Sequence, residues 1–243
     1  MKRRDIRFAT KFAPAADRFQ LAHNAGFRHA ELHLKRSTLE HWQPVAWLAS
    51  DYPLSYALHF PNAGSLPDHA LANAVRLYHE LGCQAMVIHP PRIVEFGQIL
   101  RALLPSIRLG VENQRLNALE FEAWAAENEF LTLDVEHLWK YTLCDQPLEN
   151  LVVFLDRFLT RYRSKLIHVH LPGYVPGSLE HHPASRNPAL VRAVWELLFQ
   201  AKFFGLVVSE SRPSLQTRRN LERDHALFAT WAGLPFAGLA PMV

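Results

Sequence analysis

Two kinds of hydrophobic pattern alternate along the chain. Eight short runs are apolar through most of their length: "IRFATKF" (Ile6 to Phe12), "HAELHL" (His29 to Leu34), "LSYALHF" (Leu54 to Phe60) and "AMVIHP" (Ala85 to Pro90), then "RLGVENQ" (Arg108 to Gln114), "LTLDVEH" (Leu131 to His137), "LIHVHL" (Leu166 to Leu171) and "GLVVSES" (Gly205 to Ser211). Brief runs of this kind predict strands covered on both faces. Between them lie longer amphipathic stretches. "PDHALANAVRLYHELG" opens on Pro67 and Asp68 and closes on Gly82, which are helix entry and exit signals. "NALEFEAWAAENEF" begins with Asn117 and has Glu120 three residues on, close to a capping box. "PLENLVVFLDRFLTRYRSK" and "NPALVRAVWELLFQAKF" each carry proline near the start of a helical pattern.

No Gly/Ser linker or low-complexity segment interrupts the alternation, so residues 1–243 are expected to form one domain. Eight strand–helix units predict a single (β/α)8 TIM barrel. An open doubly wound sheet is the competing arrangement. It requires a glycine-rich phosphate turn after the first strand, and "KFAPAAD" contains no glycine.

Composition narrows the setting. The residues are 49% hydrophobic and 20% charged, as in a soluble globular protein with a full core. No apolar run approaches the ~20 residues of a membrane span, and "MKRRDIRFAT" lacks the apolar segment of a signal peptide. A cytoplasmic protein with no membrane partner is expected. Cys83 and Cys144 are the only cysteines, which excludes a disulfide framework and leaves any metal to nitrogen and oxygen ligands. A formal charge of +3 suits a phosphate-bearing substrate but falls short of a nucleic-acid signature.

In a (β/α)8 barrel, chemistry gathers at the C-terminal ends of the strands. Those ends carry Glu31 and His33, His59, His89, Glu112, Asp134 with His137, His168 and His170, then Glu180, His181 and His182 in the following loop, and Glu210. With 14 histidines and 23 acidic residues in 243, chance fills six successive ends in fewer than roughly one chain in a hundred. A lone carboxylate inside runs such as "LGVEN" or "LTLDV" costs roughly several kcal/mol to bury, and a shared cation partners all of them. Single histidines at such places often only pack. His168 is expected to do so, on the reading that it faces away from His170. His33 and His181 stay open between core and ligand roles. His23, His29, His41, His69, His79 and His225 read as structural or solvated.

In order along the chain, "LHFPN", "VIHPP", "GVENQ", "LDVEH", "HVHL…EHH" and "VVSES" resemble the motifs of the xylose isomerase-like TIM-barrel superfamily, also called AP endonuclease family 2, which includes endonuclease IV. The resemblance spans nearly the whole chain. In the endonuclease IV branch it implies a three-zinc site held here by His59, His89, Glu112, Asp134, His137, His170, Glu180, His182 and Glu210. Glu180-His181-His182 stands in the place of that branch's Asp-x-His. In the isomerase and epimerase branch it implies one divalent ion on Glu112, Asp134, His170 and Glu210.

An isomerase needs one hard cation and an acid/base pair, for which Glu112 and Glu210 serve. It has no use for the further imidazoles. A nitrogen-rich set favours zinc, with manganese or iron in mixed sites, and a multi-metal set suits phosphoester hydrolysis, with Glu112 as base on the attacking water. The expected reading is therefore a hydrolase binding one to three divalent ions and acting on a small phosphorylated substrate. A sugar isomerase or epimerase is the alternative, and a non-catalytic metal-dependent binding barrel a third. Asn113, Lys140 and Arg212 are candidates to hold substrate oxygens or phosphate, and Glu31 and His33 to contact substrate hydroxyls. DNA is a less favoured partner. Asn62 stands where the family's repair enzymes carry a stack-disturbing aromatic, the chain is shorter than typical repair members, and no basic stripe is present.

Overall fold

The computed structural model describes residues 1–62 and 64–234. The expectation of one domain over 1–243 therefore reaches, at 235–243, outside the described residues. Eight parallel strands close into a barrel in sequence order: β1 (Arg7–Phe12), β2 (His29–His33), β3 (Ser55–His59), β4 (Met86–Ile88), β5 (Leu109–Glu112), β6 (Phe130–Asp134), β7 (Leu166–His170) and β8 (Leu206–Ser209). Helices α1 (Ala16–Asn24), α2 (Arg36–Glu40), α3 (Trp42–Ser50), α4 (Asp68–Glu80), α5 (Pro90–Leu103), α6 (Ala118–Glu127), α7 (Val135–His137), α8 (Leu148–Tyr162), α9 (Pro188–Gln200) and α10 (Arg218–Ala232) fill the connections.

Side chains alternate across each strand, and this splits the core into two layers. Outward-facing Phe8, Leu32, Leu58, Met86, Val111, Leu133, Val169 and Val207 pack under the helices in one large cluster. Inward-facing Ala9, Ala57, Leu206 and Val208 make a small apolar plug on the barrel axis. Above the plug the inward positions turn polar: Lys11, Glu31, His59, Glu112, Asp134, His168 and His170 are all buried. At inward Gly110 an added Cβ would stand 2.4 Å from Thr132 Oγ1, so only glycine lets these strands close beside Ile167.

The expected helix signals act where they were read. Asn117 caps α6 by accepting from Leu119 and Glu120 amides at 3.0 and 3.1 Å, and Glu120 returns the bond to the Asn117 amide. One strand is shorter than its pattern. β6 stops at Asp134 rather than running to His137, because Asp134 Oδ1 accepts the His137 amide at 2.8 Å and starts α7. His137 is thereby lifted one turn above the strand, and a wide π-turn over Leu138–Thr142 follows.

Asp224, wholly buried on α10, fastens the segment after β7. Its carboxylate accepts from the Ala184 amide (3.0 Å), the Ser185 amide (2.8 Å) and Ser209 Oγ (2.6 Å). Asp224→Ala strands three donors and should cost about 3 kcal/mol in urea unfolding, with Asp224→Asn costing less.

Candidate metal centre

Three adjacent strands deliver the first ligand group. His59 Nε2 and His89 Nε2 lie 3.2 and 3.1 Å from the same oxygen, Glu112 Oε2. The other nitrogen of each ring is tethered. His59 Nδ1 meets the Phe60 carbonyl at 3.1 Å, and His89 Nδ1 meets the Gln114 side-chain amide at 2.7 Å. Such tethers set the tilt of each imidazole and leave Nε2 facing inward.

Glu112 turns its second oxygen toward a different group. Oε1 is 3.4 Å from His170 Nδ1, which also lies 4.0 Å from Asp134 Oδ2 and 2.8 Å from Glu210 Oε2. One ligand atom from each of Glu112, Asp134, His170 and Glu210 falls within 4.8 Å of the others. His170 Nδ1, Asp134 Oδ2 and Glu210 Oε2 are all buried without a hydrogen-bond partner; the close approach of His170 to Glu210 is off the line of a hydrogen bond. Orphaned buried donors and acceptors are rare in folded proteins. Their convergence fits a divalent cation with oxygen and imidazole ligands.

Charge gives the same answer. Three buried carboxylates, Glu31, Glu112 and Asp134, and the partly buried Glu210 face the axis near Lys11, whose Nζ lies 2.6 Å from Glu210 Oε1 and 3.2 Å from Glu31 Oε1. His170 Nε2 donates to Glu31 Oε2 at 2.9 Å, and His168 Nε2 reaches the same oxygen at 2.5 Å. Burial disfavours a charged His170, yet Glu31, Glu210 and Glu112 hold it protonated well above the ordinary range. Burial likewise opposes ionised Glu31, but His170, Lys11 and His168 hold its carboxyl well below the usual range. Burial, with Glu112 and Glu210 nearby, pushes Asp134 up despite His137. Beside Lys11 the four carboxylates leave an excess of negative charge that a cation, taking the place of the proton on His170 Nδ1, would neutralise.

A third group, His137, Glu180 and His181, sits higher on the rim. His137 Nδ1 is held 3.1 Å from the Asn113 carbonyl. Glu180 accepts from Lys140 at 2.8 Å and from Tyr141, both on the π-turn. Burial raises the Glu180 carboxyl, but those two bonds outweigh it and bring it to about 2. His181, left open in sequence, faces this group, whereas the expected ligand His182 does not join it. The physical reason is the backbone. His181 adopts φ +59°, so an extended backbone that would put Glu180 and His182 on one side is broken there. Its amide donates to Glu136 Oε2 at 2.9 Å and its carbonyl accepts the Arg212 amide at 2.9 Å, which fixes that conformation. His182 instead lines a surface cavity with Arg186 and Arg223. Gly173 closes the loop, its amide on the His182 carbonyl at 2.9 Å, and a Cβ there would fall 2.0 Å from the Pro183 carbonyl oxygen.

Other expected residues land in mixed places. His168 does not face away from His170: residues two apart on a strand share a face, and both rings point to the axis. Glu31 does not reach the rim; it is wholly buried beneath His170. His33 lies beside His59 with ring centroids 5.2 Å apart, and burial, then His59 and Lys11, lower its ring to about 4. Asn113 is buried with its amide spent on the Asp134 backbone, at 2.7 and 3.0 Å. Lys140 is tied to Glu180, and Arg212 has no carboxylate within 4 Å among the described residues. Sequence reading missed Lys11, Gln114 and Glu136. Lys11 had a signal, a lysine at an inward position of an otherwise apolar first strand. Glu136 had none; burial, then Asp134, push it up to about 8.

If Glu112 is shared between two ion positions, its loss should be felt twice. Glu112→Gln is expected to remove about two bound ions per chain and His137→Ala about one, by elemental analysis of zinc-reconstituted protein. Equal losses in the two variants would contradict the sharing.

No family model matches the sequence, and no curated protein matches it. Solved structures do. A D-tagatose 3-epimerase-like protein matches with 14% identity over 94% of this chain and 97% of its own, at a TM-score of 0.63. Endonuclease IV from Thermus thermophilus matches with 18% identity over 93% of this chain and 99% of its own, at 0.55. An L-ribulose 3-epimerase matches with 14% identity over 93% and 91%, at 0.52. Epimerases and an endonuclease thus share one scaffold with this chain, and likeness at such identities speaks for fold alone. The chain has the closed (β/α)8 barrel fold that these solved structures share.

Proposed function

We propose that the protein is a divalent-cation-dependent phosphoester hydrolase acting on a small phosphorylated substrate. One observation carries the reading: Glu112 directs Oε2 to His59 and His89 and Oε1 toward His170, as a carboxylate bridging two cations does. A one-cation isomerase has no role for His59, His89, His137 and His181. The imidazole-rich set favours zinc, with manganese or iron as substitutes.

Bound cations would supply Lewis acidity and a nucleophilic water at neutral pH. The chain's own groups do the rest. Glu112 would hold the cations together through its two oxygens rather than act as the base. Lys11 holds Glu210 Oε1 at 2.6 Å, so that Oε2 stays turned to the centre. Gln114 and the Phe60 carbonyl keep the imidazoles of His89 and His59 in line. Arg212 and Lys140, beside the rim group, receive the phosphate oxygens of the substrate. Lys140 exchanges its Glu180 contact for them.

The four-residue group Glu112, Asp134, His170 and Glu210 also favours a second reading, a sugar isomerase or epimerase with Glu112 and Glu210 as acid/base pair. One experiment separates the two. Zinc- or manganese-loaded protein is assayed for phosphate ester hydrolysis and for deuterium uptake at C2 or C3 of ketoses. Hydrolysis that falls at least about a hundredfold in His89→Ala supports the proposal. Deuterium uptake that survives His89→Ala, with no hydrolysis, sinks it.

A further inference from the structure

The opposite end of the barrel holds a second, differently charged opening. A cavity of about 500 Å³ is lined there by Arg7, Arg108, Arg163 and Lys202, with Gln84 and Ser164 as neutral hydrogen-bonding groups. Every one of these lies at an N-terminal strand end or in the turn before it. Arg7 opens β1, Gln84 precedes β4, Arg108 immediately precedes β5, Arg163 and Ser164 precede β7, and Lys202 precedes β8. This is the mouth remote from Glu112 and its neighbours.

Its charge is one-sided. No aspartate or glutamate lines the cavity, and none of its four cations has a carboxylate within 4 Å among the described residues. Arg7 is half-buried and bonds only to the neutral Gln84 amide oxygen. Burial and then the neighbouring Arg108 lower its guanidinium, and Arg7 in turn helps burial bring His29 down to about 4. Arg108 rests on the Phe130 ring, its Cζ 5.1 Å from the centroid, which orients it without neutralising it. Arg7 is the half-buried member, with the exposed Arg108, Arg163 and Lys202 around it, and an anion among them would relieve their mutual repulsion. Guanidinium forks pair with phosphate oxygens in two-pronged fashion. A cavity of this volume lies within the roughly 300–1,000 Å³ of small-molecule sites.

We infer that the N-terminal mouth of the barrel is a binding site for a small polyphosphorylated molecule, formed by Arg7, Arg108, Arg163 and Lys202. Four cations exceed what a single phosphate needs, so two linked phosphates are the minimal ligand. The site is independent of the proposed hydrolysis at the other mouth.

Inorganic pyrophosphate is the probe, titrated calorimetrically into the full chain after removal of metal ions, so that cation-mediated binding at the other mouth cannot contribute. The expected result is one equivalent bound, with affinity falling at least about tenfold in Arg108→Gln and in Arg163→Gln. Arg157→Gln, an exposed change on α8, should leave it unaltered. Arg163 is exposed with no ion pair among the described residues, so that variant tests the site even if Arg108→Gln unsettles β5. Absence of binding would overturn the inference. So would equal weakening by Arg157→Gln, or a single-stranded oligonucleotide that binds as tightly as pyrophosphate.

Discussion

Mutual repulsion among inward-facing carboxylates is the constraint around which one end of this barrel is organised. Glu31, Glu112 and Asp134 are buried and Glu210 partly so, and the four converge from different strands into a space where charge is poorly screened. Lys11 answers part of that charge by bridging Glu31 and Glu210, and His170 Nε2 donates to Glu31. The remaining imbalance and the partnerless atoms of Asp134, His170 and Glu210 describe a pocket shaped for positive charge. Removing any one acid alters the balance for the rest, so these residues act as a unit rather than as independent ligands.

Rigidity at this end comes from layers of tethering. Each candidate ligand ring is held on its far side: His59 by a backbone carbonyl, His89 by Gln114, His137 by the Asn113 carbonyl, and His170 by Glu31. Asn113 in turn clamps β5 to Asp134 on β6, which links two ligand-bearing strands. The rim group is built differently. It depends on a π-turn and on a loop pinned by Glu136, Arg212 and Asp224, elements that strand geometry alone does not supply. Deep ligands therefore belong to the scaffold, and shallow ones to the loops that distinguish members of one fold.

The two mouths have opposite electrostatic character. Carboxylates and imidazoles crowd the C-terminal mouth, while arginines and a lysine line the N-terminal one, with the plug of Ala9, Ala57, Leu206 and Val208 between them. Net charge conceals this, because +3 over the whole chain averages two concentrated and opposed regions.

Order and period along the chain were enough for whatever depends on them. Eight apolar runs in alternation with capped helices specify the closed parallel barrel, and strand-end positions name Glu112, Asp134, His170 and Glu210 as neighbours, because a barrel aims its strand tips at one axis. Local backbone angles and distant partners settled the rest, and these exist only in the folded chain. The positive φ of His181 sets it beside His137 and Glu180 while His182 lines a surface cavity, an arrangement that no spacing rule foresees. Glu31 and His168 became buried partners of His170, and Asn113 a clamp, because residues 137 or 21 positions apart met across the barrel. Lys11 stands out in sequence only as a charge within an apolar strand, with no hint of its partners. Closure of β8 against β1 sets it between two carboxylates, since a long-range ion pair exists in the fold and has no trace in local pattern.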